Sequence, residues 1–212
     1  MAYDRAMDRR VLIAAVRLGL AALALVAIAA QIASDAIAGA LQPVDLLSSF
    51  AIQSNLIGAV AFVTAAAGWR RGGGASVDLL RGGAAVYLAA TALVASPLLA
   101  GADAAATIPW AGTVLQVVLP AAAIVDWVVL PPLTRIPFRD SLLWLAYPVL
   151  WTAYTMLRGP AAGWYPYPLL DPANGGSGIV AARIVGILAL EIAVCVVVSA
   201  LSRRAPWRLS AD

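Results

Sequence analysis

Few side chains in this sequence can do chemistry, and most of them lie inside apolar runs. One run opens with Ser48-Ser49-Phe50-Ala51-Ile52-Gln53-Ser54-Asn55. Positions 51, 54, 55 and 58 share one helical face and read Ala, Ser, Asn, Gly. Such a face suits either a close helix contact with interhelical hydrogen bonds or the polar wall of a binding site. Gln116 enters its own run at a similar depth, so the side chains of Asn55 and Gln116 are expected to meet. Ser49 and Ser54 are candidate nucleophiles, but a serine hydroxyl needs an adjacent base. The carboxylates available, Glu191 and Asp126, sit too deep to reach either serine without a water chain. At about 1.5 Å per residue, Asp126 and Arg17 lie at matching depths, which predicts a structural ion pair. A buried pair of this kind is weak evidence of activity. Glu191 falls near the middle of its run, where a carboxylate is costly. Its charged neighbour along the helix, Arg183, is two turns away and about 80° round the axis, a poorly aligned partner.

Trp144, Tyr147, Trp151, Tyr154 and Arg158 follow one another at helical spacing and form one continuous face. The stripe reads either as core packing or as the wall of an acyl-chain cavity with Arg158 at its mouth. Pro148 is expected to kink this helix. The following stretch, Arg158 to Pro172, holds four prolines and two glycines that should bar it from continuing as a helix. Trp164, Tyr165 and Tyr167 pair apolar rings with polar tips, which suits the headgroup level. The Trp-Tyr-Pro-Tyr-Pro block is stiff enough for an ordered lid, with Arg158 and Asp171 as a clasp. The candidate ligand-binding residues are therefore Gln53, Ser54, Asn55, Trp151, Tyr154, Arg158, Trp164, Tyr165 and Tyr167.

These residues need a frame, and the composition specifies it. Of 212 residues, 63% are hydrophobic and only 12% charged, where soluble domains carry about 25% charge. The apolar residues come in runs of roughly 20, the length that crosses about 30 Å of hydrocarbon. The alternating ten-residue segments of a barrel are not seen. The expected fold is all-α: a polytopic bundle of six transmembrane helices in a single domain, residues 1–212. Its spans are about 11–33, 47–68, 79–99, 108–130, 141–158 and 179–201, with antiparallel neighbours.

Arginines sort by end. Arg5, Arg9, Arg10, Arg70, Arg71, Arg81, Arg135, Arg139, Arg203, Arg204 and Arg208 flank one set of span ends. Arg158 and Arg183 stand at the other, with Asp35, Asp45, Asp103 and Asp171. The positive-inside rule then makes both termini cytoplasmic and loop 159–178 extracytoplasmic. The first span lacks a placed cleavage site and is read as retained. With no histidine and one cysteine, Cys195, His-based catalysis and His-ligated metals are excluded, and no metal site or cofactor is expected. Cys195 reads as packing. Gly72-Gly73-Gly74 lacks the Lys-Ser/Thr of a phosphate loop, and no basic groove suggests nucleic acid.

Several blocks together carry a resemblance: Phe50-Ala51-Ile52-Gln53-Ser54-Asn55-Leu56, Trp110 to Pro120 followed by Asp126-Trp127, Trp144 to Pro148, Arg158-Gly159, and Gly163 to Pro172. The chain resembles the bacterial six-helix, proline-bearing membrane proteins. These are distantly related to the androgen-induced integral membrane hydrolases, which cleave fatty acid esters of hydroxy fatty acids. The resemblance implies a nucleophilic threonine directly after Phe50 and a histidine four residues before Pro120. Here those positions hold Ala51 and Gln116. Alanine cannot form an acyl-enzyme, and glutamine cannot shuttle a proton near neutral pH.

The reading that follows is an integral protein of the bacterial plasma membrane on a lipid-ester-hydrolase-like scaffold. It binds a membrane lipid or fatty-acyl ligand in the outer half of the bundle, in a cavity bounded by spans two, four and five and roofed by the loop. In this form it is without catalytic activity. Two alternatives stand beside it: a transporter or channel using the intramembrane charges, and an active intramembrane esterase with a relocated serine.

Overall fold

The computed structural model describes residues 2–68, 74–95, 108–133 and 135–203. Among them the chain is helical, with no strand. α1 is Ala2–Ile37, α2 Pro43–Ser48, α3 Phe50–Ala67 and α4 Ala75–Ala90, which runs on as a π turn over Thr91–Ala95. α5 is Pro109–Thr113, followed by a π turn, Val114–Val118, and α6, Leu119–Val129. α7 is Phe138–Ser141, then come a 3-10 turn, Leu142–Leu145, α8, Ala146–Ala162, a 3-10 turn, Pro168–Leu170, and α9, Ser177–Leu201. Arg70, Arg71, the Gly72-Gly73 turn, residues 96–99 of the third expected span, Asp103, Arg204 and Arg208 lie outside the described residues.

Five helices are long and apolar enough to cross a bilayer: Met7–Ile37, Phe50–Ala67, Ala75–Val94, Pro109–Val129 and Ser177–Leu201. The protein is thus an all-α, polytopic membrane protein, but with five such helices among the described residues where six were expected. The segment expected as a span over 141–158 is divided into α7, a 3-10 turn and α8. Pro148 causes the division. Lacking an N–H, it cannot bond the Trp144 carbonyl, so it stands in the first turn of α8, where no donor is needed. The kink expected within a helix is a helix start.

α3 and α4 form the centre: 61% and 67% of their spans are buried, against 28% or less for the other three. Small residues allow it. A Cβ at Gly58 would stand 2.9 Å from Leu88 Cδ1, and one at Gly82 would stand 2.2 Å from the Trp144 ring. The helices therefore approach more closely than larger residues would permit. Large apolar side chains point outward all round the bundle, among them Leu12, Val26, Val125, Leu150 and Val197. Water would oppose such a surface and lipid accepts it.

At the arginine-bearing end, charges bind the helices together. Arg17 Nε of α1 donates to Asp126 Oδ1 of α6 at 2.8 Å, so the two residues matched by depth are paired. Arg81 of α4, which the sequence offered only as a flanking orientation signal, donates to Asp126 Oδ2 at 2.8 Å and to the Leu130 carbonyl at 2.7 Å. Its guanidinium also lies 5.5 Å over the Trp127 ring. Asp78 accepts the Leu133 N–H at 2.8 Å, which fixes the chain as it leaves α6. One carboxylate thus holds two guanidiniums and three helices.

Asp126→Asn should leave the partly buried Arg17 without its counter-charge and Arg81 with Asp78 alone, and cost about 3 kcal/mol of unfolding free energy. Arg139–Asp140, an exposed pair 3.2 Å apart, is the control: Asp140→Ala should change stability by under about 0.5 kcal/mol. Equilibrium unfolding in detergent micelles measures both.

Candidate functional site

At the opposite end of the bundle the chain breaks between α2 and α3. Ser49 is extended, with φ −66° and ψ 126°, so neighbouring backbone groups lose their helical partners. Side chains replace them. Trp151 Nε1 donates to the Ser48 carbonyl at 2.9 Å, and Gln53 Nε2 donates to the Leu47 carbonyl at 2.7 Å. The Ala51 N–H, in the first turn of α3, donates to the Tyr167 hydroxyl at 3.2 Å. Ser48 Oγ bonds the Val44 carbonyl at 2.6 Å and meets the Tyr154 hydroxyl at 2.9 Å. The Tyr147 hydroxyl donates to Gln53 Oε1 at 3.0 Å.

The aromatic stripe of α8 is therefore a seam whose polar tips close the α2–α3 break. Trp144 goes to the Leu79 carbonyl of α4 at 2.8 Å. Of the stripe, Trp151 lines an internal cavity, and Tyr154 is half-exposed. Ser54 is fully buried beside Tyr147.

α8 does not stop at Arg158. It continues through Pro160 to Ala162 and ends on Gly163, whose φ of +62° suits glycine. The expected clasp is also different. Arg158 pairs with Asp45 of α2, and its guanidinium lies 5.3 Å over the Trp164 ring. Asp171 instead accepts the Ala173 N–H at 2.8 Å, a local turn made by a short side chain that cannot reach back to α8. Asn174 Nδ2 donates to the Pro168 carbonyl at 2.9 Å. Tyr165 lies flat against Gly159, where a Cβ would stand 2.1 Å from its ring. The loop is fixed at both ends and in its middle.

Beneath this loop lies a cleft of about 350 Å³. Gln31 and Asp35 of α1, Asp45 of α2, Ala51 of α3 and Gln116 of the π turn line it, with Ser49, Trp164 and Tyr167. The boundary differs from the expected one. α1 contributes a wall and α8 none, because the α8 tips are spent on the α2–α3 break. Gln31 Nε2 donates to Asp35 Oδ1 at 2.8 Å, and Gln31 Oε1 accepts the Ile108 N–H at 3.1 Å. Ser49 Oγ meets the Tyr167 hydroxyl at 3.5 Å, the limit of a hydrogen bond. A neutral phenol is no base for it.

Asn55 and Gln116 do not bond each other. Asn55 Nδ2 donates to the Ala51 carbonyl at 2.8 Å and to the Leu115 carbonyl at 3.0 Å. Pro120 explains the choice. In the π turn before it, the Leu119 N–H bonds the Val114 carbonyl. Proline has no N–H to offer Leu115, and Asn55 satisfies that carbonyl across the interface. Gln116, next along, is left to line the cleft.

The remaining charged candidates are apart from it. Asp126 is held by two arginines at the far end. Arg183 Nη1 donates to the Leu169 carbonyl at 3.0 Å rather than reaching Glu191. Glu191 is buried, and its Oε2 has no hydrogen-bond partner among the described residues. Cys195 is wholly buried in the core. Among the described residues no cluster of three metal-ligating side chains occurs.

No family model matches the chain, and neither a curated protein nor a solved structure does.

Trp151→Phe keeps an aromatic ring but loses the indole N–H and orphans the Ser48 carbonyl, so it should cost about 1–3 kcal/mol. Tyr154→Phe, at a half-exposed position where water substitutes, should cost about 0.5 kcal/mol. Chemical denaturation in micelles distinguishes them, and equal effects would contradict the seam.

Proposed function

We propose that this chain is a membrane-embedded amphiphile-binding protein whose ligand, a fatty-acyl or similar molecule, occupies the cleft beneath the Trp164–Tyr167 loop. In this form it does not catalyse. One observation carries the reading. Ala51 and Gln116, the two positions that the resemblance to the hydroxy-fatty-acid ester hydrolases would make nucleophile and base, line one cleft together. The cleft is framed by an amphipathic aromatic loop and by amide, carboxylate and phenol groups, which suit a polar head. Its lining also includes Leu46, Ile52 and Leu115, which suit the start of an apolar tail. Its one hydroxyl of the serine type, Ser49, faces a phenol rather than a base.

The topology belongs to the same proposal: six crossings in a bacterial plasma membrane, both termini cytoplasmic, loop 159–178 outside. Support for the sixth crossing comes from residues 138–162. They run from the Ile136 connection, held by Ser199 and Ser202 at the end of α9, to the Arg158–Asp45 pair at the other end of the bundle. Leu143, Leu150 and Leu157, seven residues apart on one face, are 62%, 68% and 80% exposed, as a lipid-facing stripe would be. Orientation is supported by Arg9, Arg10, Arg139 and Arg203, which flank one set of ends.

Delipidated protein should take up oleic acid at micromolar concentration, read by native mass spectrometry, and should not hydrolyse fatty acid esters. Ala51→Thr together with Gln116→His should introduce ester hydrolysis, and neither change alone should. No uptake of the acid would refute the binding reading. Hydrolysis by the unaltered chain would refute the non-catalytic one.

A further inference from the structure

Among the described residues, Glu191 is the one buried carboxylate that the preceding sections leave unused. It is 3% exposed, and its Oε2 lacks a hydrogen-bond partner among the described residues. Leaving such a group unpaired in an apolar interior is costly, and native structures rarely retain one without a use. Glu191 lines an internal cavity of about 40 Å³ with Phe50, Trp151, Thr152 and Tyr167. That is room for a small polar head rather than a chain, since one water needs about 10–15 Å³ by the same measure.

The cavity is not isolated. Val94, Leu169 and Ile187 line both it and a second, open groove of about 550 Å³. Among the described residues the groove is walled by the π turn after α4, by the Pro168–Leu170 turn and by α9 from Arg183 to Leu190. From Arg183 to Glu191 is eight residues of helix, or about 12 Å along the axis. The groove is mostly apolar, with Arg183 and Asn174 its polar lining, and the cavity beside it holds the unpartnered Glu191 Oε2. Tyr167 stands between this system and the outer cleft, which it also lines.

We propose that the inner cavity and the groove beside it form a second ligand site, separate from the outer cleft. It takes an apolar molecule with one hydrogen-bond-donating head, an alcohol or an amine. Glu191 accepts from the head and the groove holds the body. The proposal does not rest on the outer cleft binding anything. An apolar groove alone would be filled by any lipid tail. The unpartnered carboxyl selects the head, because a headless chain would leave it unsatisfied.

The test is binding of dodecanol and of dodecylamine to the full chain in detergent, read by native mass spectrometry, with dodecane as the headless control. At least one of the two headed probes should bind more tightly than dodecane. Glu191→Leu replaces the carboxyl by an apolar group of similar size and should weaken that binding by about tenfold or more. Gly186→Trp should do the same by occupying the groove. A Cβ there meets nothing within 4 Å, so the fold should hold, as an unchanged size-exclusion profile would verify. Asp140→Ala, in the exposed ion pair and outside both sites, should leave probe binding unchanged. Binding of dodecane as tight as the headed probes, wild-type binding in Glu191→Leu or Gly186→Trp, or loss in Asp140→Ala would each overturn the proposal.

Discussion

A bilayer offers no hydrogen bonds to a broken backbone, and the structure turns on how one break is closed. Between Ser48 and Phe50 the chain leaves α2 and begins α3, with Ser49 extended between them. Trp151 satisfies the Ser48 carbonyl and Tyr167 the Ala51 N–H. Both partners, the Trp151 donor and the Tyr167 acceptor, come from residues far along the chain, so the break is closed only once α8 and the loop after it have docked. That docking makes the cleft. Tyr167 is at once the cap on α3 and a wall of the cavity, and Trp164 is held above it by the Arg158–Asp45 pair. The shape of the candidate site is a consequence of satisfying backbone, and its aromatic roof cannot shift without exposing α3.

The other end of the bundle solves a different problem with charges. Asp126 between Arg17 and Arg81 joins α1, α4 and α6, while Trp127 donates to the Val198 carbonyl and fastens α9. Two guanidiniums on one carboxylate, further balanced by Asp78 near Arg81, leave the cluster neutral.

Much of this was legible in the residues. Apolar runs follow directly from the cost of placing charge in lipid, so the five long apolar helices could be read, though not the division of residues 141–158. Equal depth sufficed to match Arg17 with Asp126. What could not be read depended on the third dimension. Nothing at Ser48-Ser49 announces a break, since neither residue is a glycine or proline. Arg81 looked like one more flanking charge because its partner lies on another helix. Pro148 was visible, but whether a proline kinks a helix or starts one depends on what precedes it. Pro120 and Asn55 are linked only through the π turn and the carbonyl of Leu115. The wall supplied by α1 had no sequence signal beyond Gln31 and Asp35 near the end of an otherwise apolar helix.

The central claim is that the loop's tyrosine holds the first turn of α3. Site-resolved hydrogen exchange of the Ala51 amide, in the unaltered protein and in Tyr167→Phe, tests it most directly. The account predicts a protected amide that exchanges about five- to tenfold faster once the hydroxyl is removed, while amides in the middle of α4 are unaffected. An Ala51 amide that exchanges at the same rate in both proteins would contradict it.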